Sequence, residues 1–255
     1  MQYDVAGSIS RGKREHQEDA IEICFPYHDH PGFVVIADGM GGHEAGDIAS
    51  RLAVDGFMSA LSPRLGEAEV LPDTISVLLE NAVREANDHI ASHVADHREL
   101  AGMGTTLVAP VVVDRNLHWV SVGDSVLFVY DGEALRQVNE DHSLAPHIDM
   151  MAAMGQMDPD TARTHPDRNC LTSVLMGADI AKIDNGREPV PLASGNIVIA
   201  GSDGLLFLSD SEISEIVNQH KEDSSRTLVG ALMDAIESLD DPDQDNVSIA
   251  VIKVA

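Results

Sequence analysis

Two apolar runs in this sequence each lead into a carboxylate followed by glycine. Residues 34–37 are followed directly by Asp38 and Gly39. Residues 197–200 are followed, after two intervening residues, by Asp203. A short apolar run bounded by a turn signal is typical of a buried strand, and glycine permits both the turn and the close approach of a ligand to the backbone. The sequence therefore predicts two core strands that each end on a fixed carboxylate.

Two further acidic groups lie beside predicted strands. The cluster at 240–245 leads into an apolar run at 247–252. Glu18 and Asp19 lead into another run at 20–23. Carboxylates gathered at one place repel one another unless cations neutralise them. Sites built from oxygen ligands favour hard ions such as Mg2+, Mn2+ or Ca2+ over zinc, so a meeting of these strand ends predicts a site for such ions.

The composition predicts one acidic domain spanning residues 1–255. With 44% hydrophobic residues in 255, the chain can bury one substantial core. The 16 Lys and Arg residues against 43 Asp and Glu residues give a formal net charge of -27. This balance argues against a general basic surface for nucleic acid or an anionic membrane. We expect a monomer with no nucleic-acid or membrane partner.

The sequence also predicts a cytoplasmic location. Its beginning lacks the basic and apolar pattern of a secretory signal, and no run reaches the roughly 18 apolar residues that span a membrane. Cys24 and Cys170 are far apart in sequence and lack C-x-x-C spacing, so we expect reduced thiols and no disulfide.

The periodicity predicts a mixed chain of strands and helices. The centre, from 105 to 138, reads as short strands joined by tight turns, which indicates antiparallel pairing. A segment from about 145 to 190, rich in Met and Pro, predicts a flap-like insertion over the site, with an ordinary packed helix-loop segment as the alternative. Pro63 is expected to end the first of four helices, predicted at 44–61, 75–94, 211–220 and 224–239.

Residues 10–14 form the densest basic group in this acidic chain, and two interpretations of it stay open. Arg14 can form a surface ion pair with Glu18 or Asp19, which is worth ~0 to 1 kcal/mol. The alternative is an anion clamp, because the planar guanidinium of an Arg matches a phosphate oxyanion.

Two groups of histidines invite a metal interpretation. His28 and His30 lie in a predicted loop, and His89, His93 and His97 recur every four residues along one helix face. No acidic or Cys partner has matching spacing, so solvated histidines are favoured over a zinc site.

Eight short motifs follow one another along the chain. They are Arg14-x-x-Gln17-Glu18-Asp19, Asp38-Gly39-Met40-Gly41-Gly42-His43, Gly104-Thr105-Thr106, Val122-Gly123-Asp124-Ser125, Asp141-His142-Ser143-Leu144, His165-Pro166-x-Arg168-Asn169-x-Leu171-Thr172, Ser202-Asp203-Gly204 and Asp245-Asn246. In this order the motifs resemble those of the metal-dependent Ser/Thr protein phosphatases, the type 2C or PPM family, in its bacterial form. The match runs from about residue 3 to 254. The resemblance implies an α+β fold, a four-layer α-β-β-α sandwich of two antiparallel sheets flanked by helices.

The resemblance implies a set of metal ligands. Asp38 is expected to bridge two Mn2+ or Mg2+ ions, and Gly39 to offer its backbone carbonyl to one of them. Asp203 and Asp245 are expected to complete this core pair. Asp124, together with Asp203, is expected to hold a third, weaker ion.

The resemblance also implies roles around the ions. Glu18 is expected to act on the metal-bound waters, and so belongs to both the metal and the catalytic set. Asp19 is expected to support the cluster, and Arg14 to bind the phosphoryl oxygens. Some eukaryotic relatives carry a His directly after the Asp-Gly as a general acid; here that position is Met40. His43 is a candidate to replace that acid, with a structural or a substrate-contacting role as the alternative, and water on the metals could also serve as the acid.

The chain departs from the family pattern at three further positions. Gln17 stands where an Asn is usual. Val126 and Ser173 stand where the family usually has Arg. These changes are expected to alter how the flap packs or how substrate is held.

The resemblance implies hydrolysis of phosphoserine and phosphothreonine in proteins, opposing a bacterial Ser/Thr kinase. Two metal ions can activate a water for in-line attack without a covalent enzyme intermediate, and no Cys-x5-Arg pattern suggests one. A catalytically silent phosphoprotein-binding module is the alternative, disfavoured because the ligand residues are present. A Ca2+-binding structural domain would favour a contiguous loop of alternating carboxylates, which is incomplete here.

Overall fold

The structure is a computed structural model that describes residues 2–26, 30–42, 44–65, 72–186 and 188–255. The described strands are β1 Tyr3–Ser10, β2 Asp19–Cys24, β3 Gly32–Met40, β4 Gly104–Thr105, β5 Leu107–Val113, β6 Asn116–Val122, β7 Val126–Tyr130, β8 Leu135–Gln137, β9 Asp184–Asn185, β10 Val190–Pro191, β11 Ile197–Gly201 and β12 Val247–Val254. The helices are α1 Glu44–Leu65, α2 Pro72–Asp96, α3 Ala145–Ala153, α4 Pro159–Arg163, α5 Asp210–His220 and α6 Ser225–Ser238. Short 3-10 helices span Arg98–Leu100 and Asp203–Phe207.

The strands form two antiparallel sheets. The first sheet has the order β1-β12-β11-β7-β8, and the second has the order β10-β6-β5-β3-β2, with β4 paired to β3 and β9 paired to β6. Helices α1 and α2 cover the outer face of the second sheet, and α5 and α6 cover that of the first. The four-layer α-β-β-α sandwich expected from the sequence is confirmed.

Strand β3 shows why the strands at the site have unbroken apolar sequences. Phe33, Val35 and Ala37 point to the helical layer. Val34 and Ile36 point to the facing sheet. Successive side chains of a strand lie on opposite faces, so a strand covered by helices on one side and a sheet on the other needs apolar residues at every position. The same division holds for β11 and β12.

The prediction that Pro63 ends α1 is wrong, because the helix continues to Leu65. A proline in the last turn removes one backbone donor at an end where little helix remains to be broken. Leu61 and Leu65 are both buried in the helical layer, and Arg64 Nη1 donates to the carbonyl of Ala60 at 3.0 Å. Burial of the last leucine favours the extra turn.

The segment predicted as a flap has a defined base. Ser143 and Leu171 form an antiparallel bridge, and Leu144 N donates to the carbonyl of Cys170 at 3.0 Å. Helices α3 and α4 lie between these two positions. The later part of the segment contributes β9 and β10 to the second sheet, both paired with β6. No helix in the described ranges has the length and apolar character needed to cross a membrane.

Candidate metal centre

The start of β2 and the end of β3 bring four candidate residues together. Asp19 and Asp38 are direct partners in the antiparallel register. Gly39 N donates to the carbonyl of Glu18 at 3.0 Å. A Cβ at position 39 would lie 2.0 Å from the carbonyl oxygen of Gly46 at the start of α1, so only glycine fits this contact. Pairing of β2 with β3 therefore fixes the two carboxylates that the sequence separates by a loop.

Two buried threonines fix the backbone of Asp38. Its N–H donates to Thr106 Oγ1 at 3.0 Å. Its carbonyl accepts from Thr105 Oγ1 at 2.8 Å and from Thr106 N at 2.9 Å. The Gly104-Thr105-Thr106 motif, which had no assigned role, thus holds the residue expected to bridge two ions.

The first sheet delivers Asp203 and Asp245 to the same place. Ser202 Oγ donates to Asp19 Oδ2 at 2.8 Å and accepts from Ser248 N at 2.9 Å, which ties the ends of β11 and β12 to the second sheet. Gly204 allows the chain after Asp203 to approach β12, since a Cβ there would lie 2.1 Å from the carbonyl oxygen of Asn246.

The gathered carboxylates raise one another's pKa values. The pKa of Asp38 is raised well above its usual value, first by burial and then by the charges of Asp19 and Asp203. Burial raises the pKa of Asp19 to about 7 against the opposing hydrogen bond from Ser202. Burial and the charge of Asp245 raise the pKa of Asp203, although a hydrogen bond with Asp38 opposes the shift. A cation would relieve this repulsion.

The donor set fits a hard divalent ion. Asp19 Oδ1 and Asp203 Oδ1 are buried without a hydrogen-bond partner, and buried carboxylate oxygens ordinarily have one. Within the described part of the chain, no group of three His, Cys, Asp or Glu side chains already encloses a single ion position. Both oxygens of Asp245 have partners, Asn246 N and Arg14 Nη2. An ion bound here therefore competes with Arg14 for Asp245.

Arg14 lies at the cluster and forms an ion pair with Asp245. Its Nη2 atom is 2.5 Å from Asp245 Oδ2, and its side chain is 56% exposed. Arg14, Asp124, Asp203 and Asp245 line one cleft of about 600 Å³. An exposed guanidinium at the wall of a cleft that also holds carboxylates can bind an oxyanion whose other oxygens face cations.

Asp124 faces the same cleft from the turn between β6 and β7. Its pKa is raised to about 7 by burial and then by the charges of Asp203 and Asp141. The preceding Gly123 has a φ of +102°, donates its N–H to His142 Nδ1 at 3.2 Å and accepts from His142 N at 3.0 Å. His142, buried at the base of the flap, thus positions the turn that carries Asp124.

The chain is similar in sequence to known proteins. The model of the family described as Protein phosphatase 2C matches residues 6–222. The serine/threonine phosphatase stp of Listeria monocytogenes is 34% identical over 221 residues, which are 86% of this chain and 82% of that protein. The chain belongs to the protein phosphatase 2C family.

Solved structures agree with this membership. The serine/threonine phosphatase Stp1 from Staphylococcus aureus has a TM-score of 0.78 at 27% identity, with 100% of this chain and 96% of that chain covered. The catalytic domain of the serine threonine protein phosphatase PstP, in complex with 2 manganese ions, has a TM-score of 0.73 at 25% identity, with 100% and 99% covered.

The departures from the protein phosphatase 2C pattern have local structural consequences. Gln17 Nε2 donates to the carbonyl of Asp19 at 3.4 Å, and its Oε1 atom is buried without a partner. Val126 is buried in the helical layer of the first sheet. Ser173 Oγ donates to the carbonyl of Lys182 at 2.7 Å and accepts from Lys182 N at 2.9 Å, so it closes a loop within the segment predicted as a flap.

The histidines do not join this centre where they are described. His93 and His97 stack on each other on α2, with ring centroids 4.5 Å apart. His43 and His28 lie outside the described residues.

Sequence reasoning gave no role to three residues that hold the site together. Ser202, Thr106 and Asn246 are buried polar residues with hydrogen bonds to ligand-bearing segments. Ser202 and Asn246 lie in motifs that contain a candidate ligand, which is the signal that could have found them, whereas the Gly104-Thr105-Thr106 motif contains none.

Proposed function

We infer that this protein is a metal-dependent protein phosphatase that hydrolyses phosphoserine and phosphothreonine in proteins. The observation that carries this function is that Asp203, Asp245 and the exposed guanidinium of Arg14 line one cleft. Burial and then the charges of neighbouring carboxylates, Asp203 and Asp245 among them, raise the pKa of Asp38, which places this residue at the same cluster. The relatives named as serine/threonine phosphatases support the substrate class. Nothing in the site favours a silent binding module.

We propose two core ions, held by Asp38, the carbonyl of Gly39, Asp203 and Asp245, with Glu18 beside them. The two manganese ions of the PstP catalytic domain support this number. A third, weaker ion is proposed between Asp124 and Asp203, whose charges already interact. The oxygen donors suit Mn2+ or Mg2+.

When bound, such ions lower the pKa of water toward neutrality and offset the charge on a phosphoryl group. Arg14 is proposed to hold two phosphoryl oxygens with its planar fork and so orient the ester. Glu18 is proposed to accept a proton at its carboxylate, which packs over Gly46. The cysteines do not line the described cleft, which agrees with hydrolysis that forms no covalent enzyme intermediate.

The physiological substrates are proposed to be proteins phosphorylated by a bacterial Ser/Thr kinase in the cytoplasm. We propose that the phosphatase acts on them as a monomer. We propose that the carboxylate-lined cleft binds the phosphoryl group and that the surface around the cleft selects the protein substrate.

The test is turnover of p-nitrophenyl phosphate and a phosphothreonine peptide by purified protein with Mn2+, Mg2+, Ca2+ or EDTA. We expect activity with Mn2+ or Mg2+ and none in EDTA. Asp38→Asn is the test variant, because it keeps the side-chain shape and removes the charge that is proposed to bridge the ions. Undiminished turnover in EDTA or in Asp38→Asn would disprove the metal-dependent function.

A further inference from the structure

The side chain of Asn246 makes three hydrogen bonds to the loop that carries Arg14. It is 5% exposed and directly precedes β12. Its Oδ1 atom accepts from Glu18 N at 2.7 Å. Its Nδ2 atom donates to the carbonyls of Arg11 and His16 at 2.9 and 3.0 Å. One side-chain amide therefore binds three backbone groups of the loop that carries Arg14.

Only one side-chain chemistry matches these three partners. A primary amide carries one acceptor oxygen and two N–H donors on the same planar group. The loop presents one N–H, from Glu18, and two carbonyls, from Arg11 and His16. A carboxylate at position 246 would place an oxygen against both carbonyls, and an aliphatic side chain would leave three buried backbone groups without partners.

The two carbonyls lie on either side of Arg14 in the chain. Arg11 precedes it by three residues and His16 follows it by two. No helix or strand holds this stretch, since regular structure resumes at Asp19. Lys13 N adds a bond to the carbonyl of Gln244 at 3.0 Å, which again anchors the loop to the segment before β12.

We infer that Asn246 is a positioning residue that holds the loop from 11 to 18 so that the Arg14 guanidinium keeps its place at the phosphate site. The inference rests on the proposed function of that site. Asn246 touches no reacting group itself. It acts through Arg14 and also through Glu18, whose backbone N–H donates to Asn246 Oδ1.

The structure separates this role from metal binding. The bond from position 246 to the metal ligand Asp245 comes from the backbone N–H of Asn246, at 2.7 Å. Any replacement except proline keeps that donor. Loss of the side-chain amide should therefore weaken phosphate binding while Asp245 stays in place for the ions.

The experiment is a double-mutant cycle between Asn246→Ala and Arg14→Ala. For each protein, KM and kcat for p-nitrophenyl phosphate and Mn2+ affinity by calorimetry are measured. We expect Asn246→Ala to raise KM roughly tenfold with less than about threefold change in Mn2+ affinity, and to raise KM no further once Arg14 is Ala. An equal KM increase in both backgrounds would overturn the inference, as would loss of Mn2+ affinity.

Two additions keep the test decisive if Asn246→Ala folds poorly. Asn246→Asp keeps the acceptor for Glu18 N, and in this variant amide hydrogen exchange should speed up at residues 11–18. Asn196→Ala is the control for loss of a buried amide, because Asn196 accepts from Ala193 N at 2.8 Å at the opposite end of β11 from Asp203. Unchanged exchange at 11–18 in Asn246→Asp would also overturn the inference.

Failure of the proposed function gives a different result. In that case the parent protein shows no metal-dependent turnover at all. Failure of the present inference leaves an active parent protein whose Arg14 and Asn246 act independently.

Discussion

At the scale of single residues, the site depends on which partner each charged group has. Arg14 binds Asp245, and Asp245 is also a proposed metal ligand. In the proposed site, the guanidinium is expected to compete with an ion for this carboxylate and to bind phosphate once an ion holds Asp245. The proposal therefore gives one residue a substrate role and an opposing effect on metal affinity.

Arg14→Ala tests both effects. We expect KM for p-nitrophenyl phosphate to rise about tenfold to a hundredfold, since a hydrogen bond to a charged group contributes roughly 1.5 to 3 kcal/mol. Mn2+ affinity by calorimetry should be at least as high as in the parent protein, because a competitor of Asp245 is gone. Arg163→Ala, which removes an exposed ion pair with Asp160, is the matched control. A collapse of Mn2+ binding would show that Arg14 supports the metals instead.

Asp124 should be separable from the core ions in the same way. It is expected to share its ion only with Asp203, and an ion with fewer protein carboxylates binds more weakly. Asp124→Ala should retain two ions and lose several-fold in turnover, which higher Mn2+ restores only in part. Anomalous scattering from Mn2+-soaked crystals and kinetics on the same variant make the measurement. If the parent protein and Asp124→Ala both bind two ions and are fully active, Asp124 only forms the turn.

At the scale of elements, the first part of the segment predicted as a flap is held at its base. The Ser143–Leu171 bridge and the bond from Leu144 N to the Cys170 carbonyl bring together the two ends of the stretch from 145 to 169, which carries α3 and α4. Within it, Arg168 pairs with Asp149 through two bonds of 2.6 and 2.8 Å. Arg168 also lines the cleft, so the flap forms part of its wall.

Replacement of residues 145–169 by an Asn-Gly turn is the sharpest test of the flap. The adjacent positions 144 and 170 can be joined by a two-residue hairpin connection. We expect kcat/KM for a phosphothreonine peptide to change more than that for p-nitrophenyl phosphate, because only the larger substrate reaches the flap surface. Arg168→Ala, with the helices kept, separates loss of one side chain from loss of the segment. Equal losses of kcat/KM on both substrates would show that the segment has a structural role and does not select the substrate.

At the scale of the whole molecule, the two sheets bring together carboxylates that would otherwise repel one another. The pKa values of Asp19 and Asp124 are each raised to about 7. A carboxyl whose pKa is higher in the folded than in the unfolded state binds more protons when folded. The free energy of unfolding of the metal-free protein therefore decreases as the pH rises from about 4 through 7.

Thermal unfolding should show this dependence. In EDTA, we expect Tm to fall between pH 5 and pH 8, and saturating Mn2+ to remove most of the fall by neutralising the carboxylates. Asp19→Asn should flatten the EDTA curve, whereas Asn at the exposed Asp160 should leave it unchanged. Added salt screens the general repulsion of a chain with a net charge of -27 and so isolates the contribution of the site. A Tm that rises over this range in EDTA would contradict the argument.

The core strands and the candidate ligands could be predicted from residue patterns, and the layers from the family resemblance. Strands buried on both faces need continuous apolar runs, so β3 and β11 were visible as runs that lead into Asp38 and Asp203. The order of the motifs identified the family. The end of α1 was missed because burial of Leu65 outweighs the local effect of Pro63.

How these carboxylates are held depends on contacts between residues far apart in the chain. Ser202 reaches Asp19 across 183 residues of sequence, and Asn246 reaches Glu18 across 228. Such contacts depend on strand register and on how closely two sheets pack, and neither is encoded in a local pattern. The ligands could be read from residue type and position, whereas the groups that position them became visible only once the two sheets were brought together.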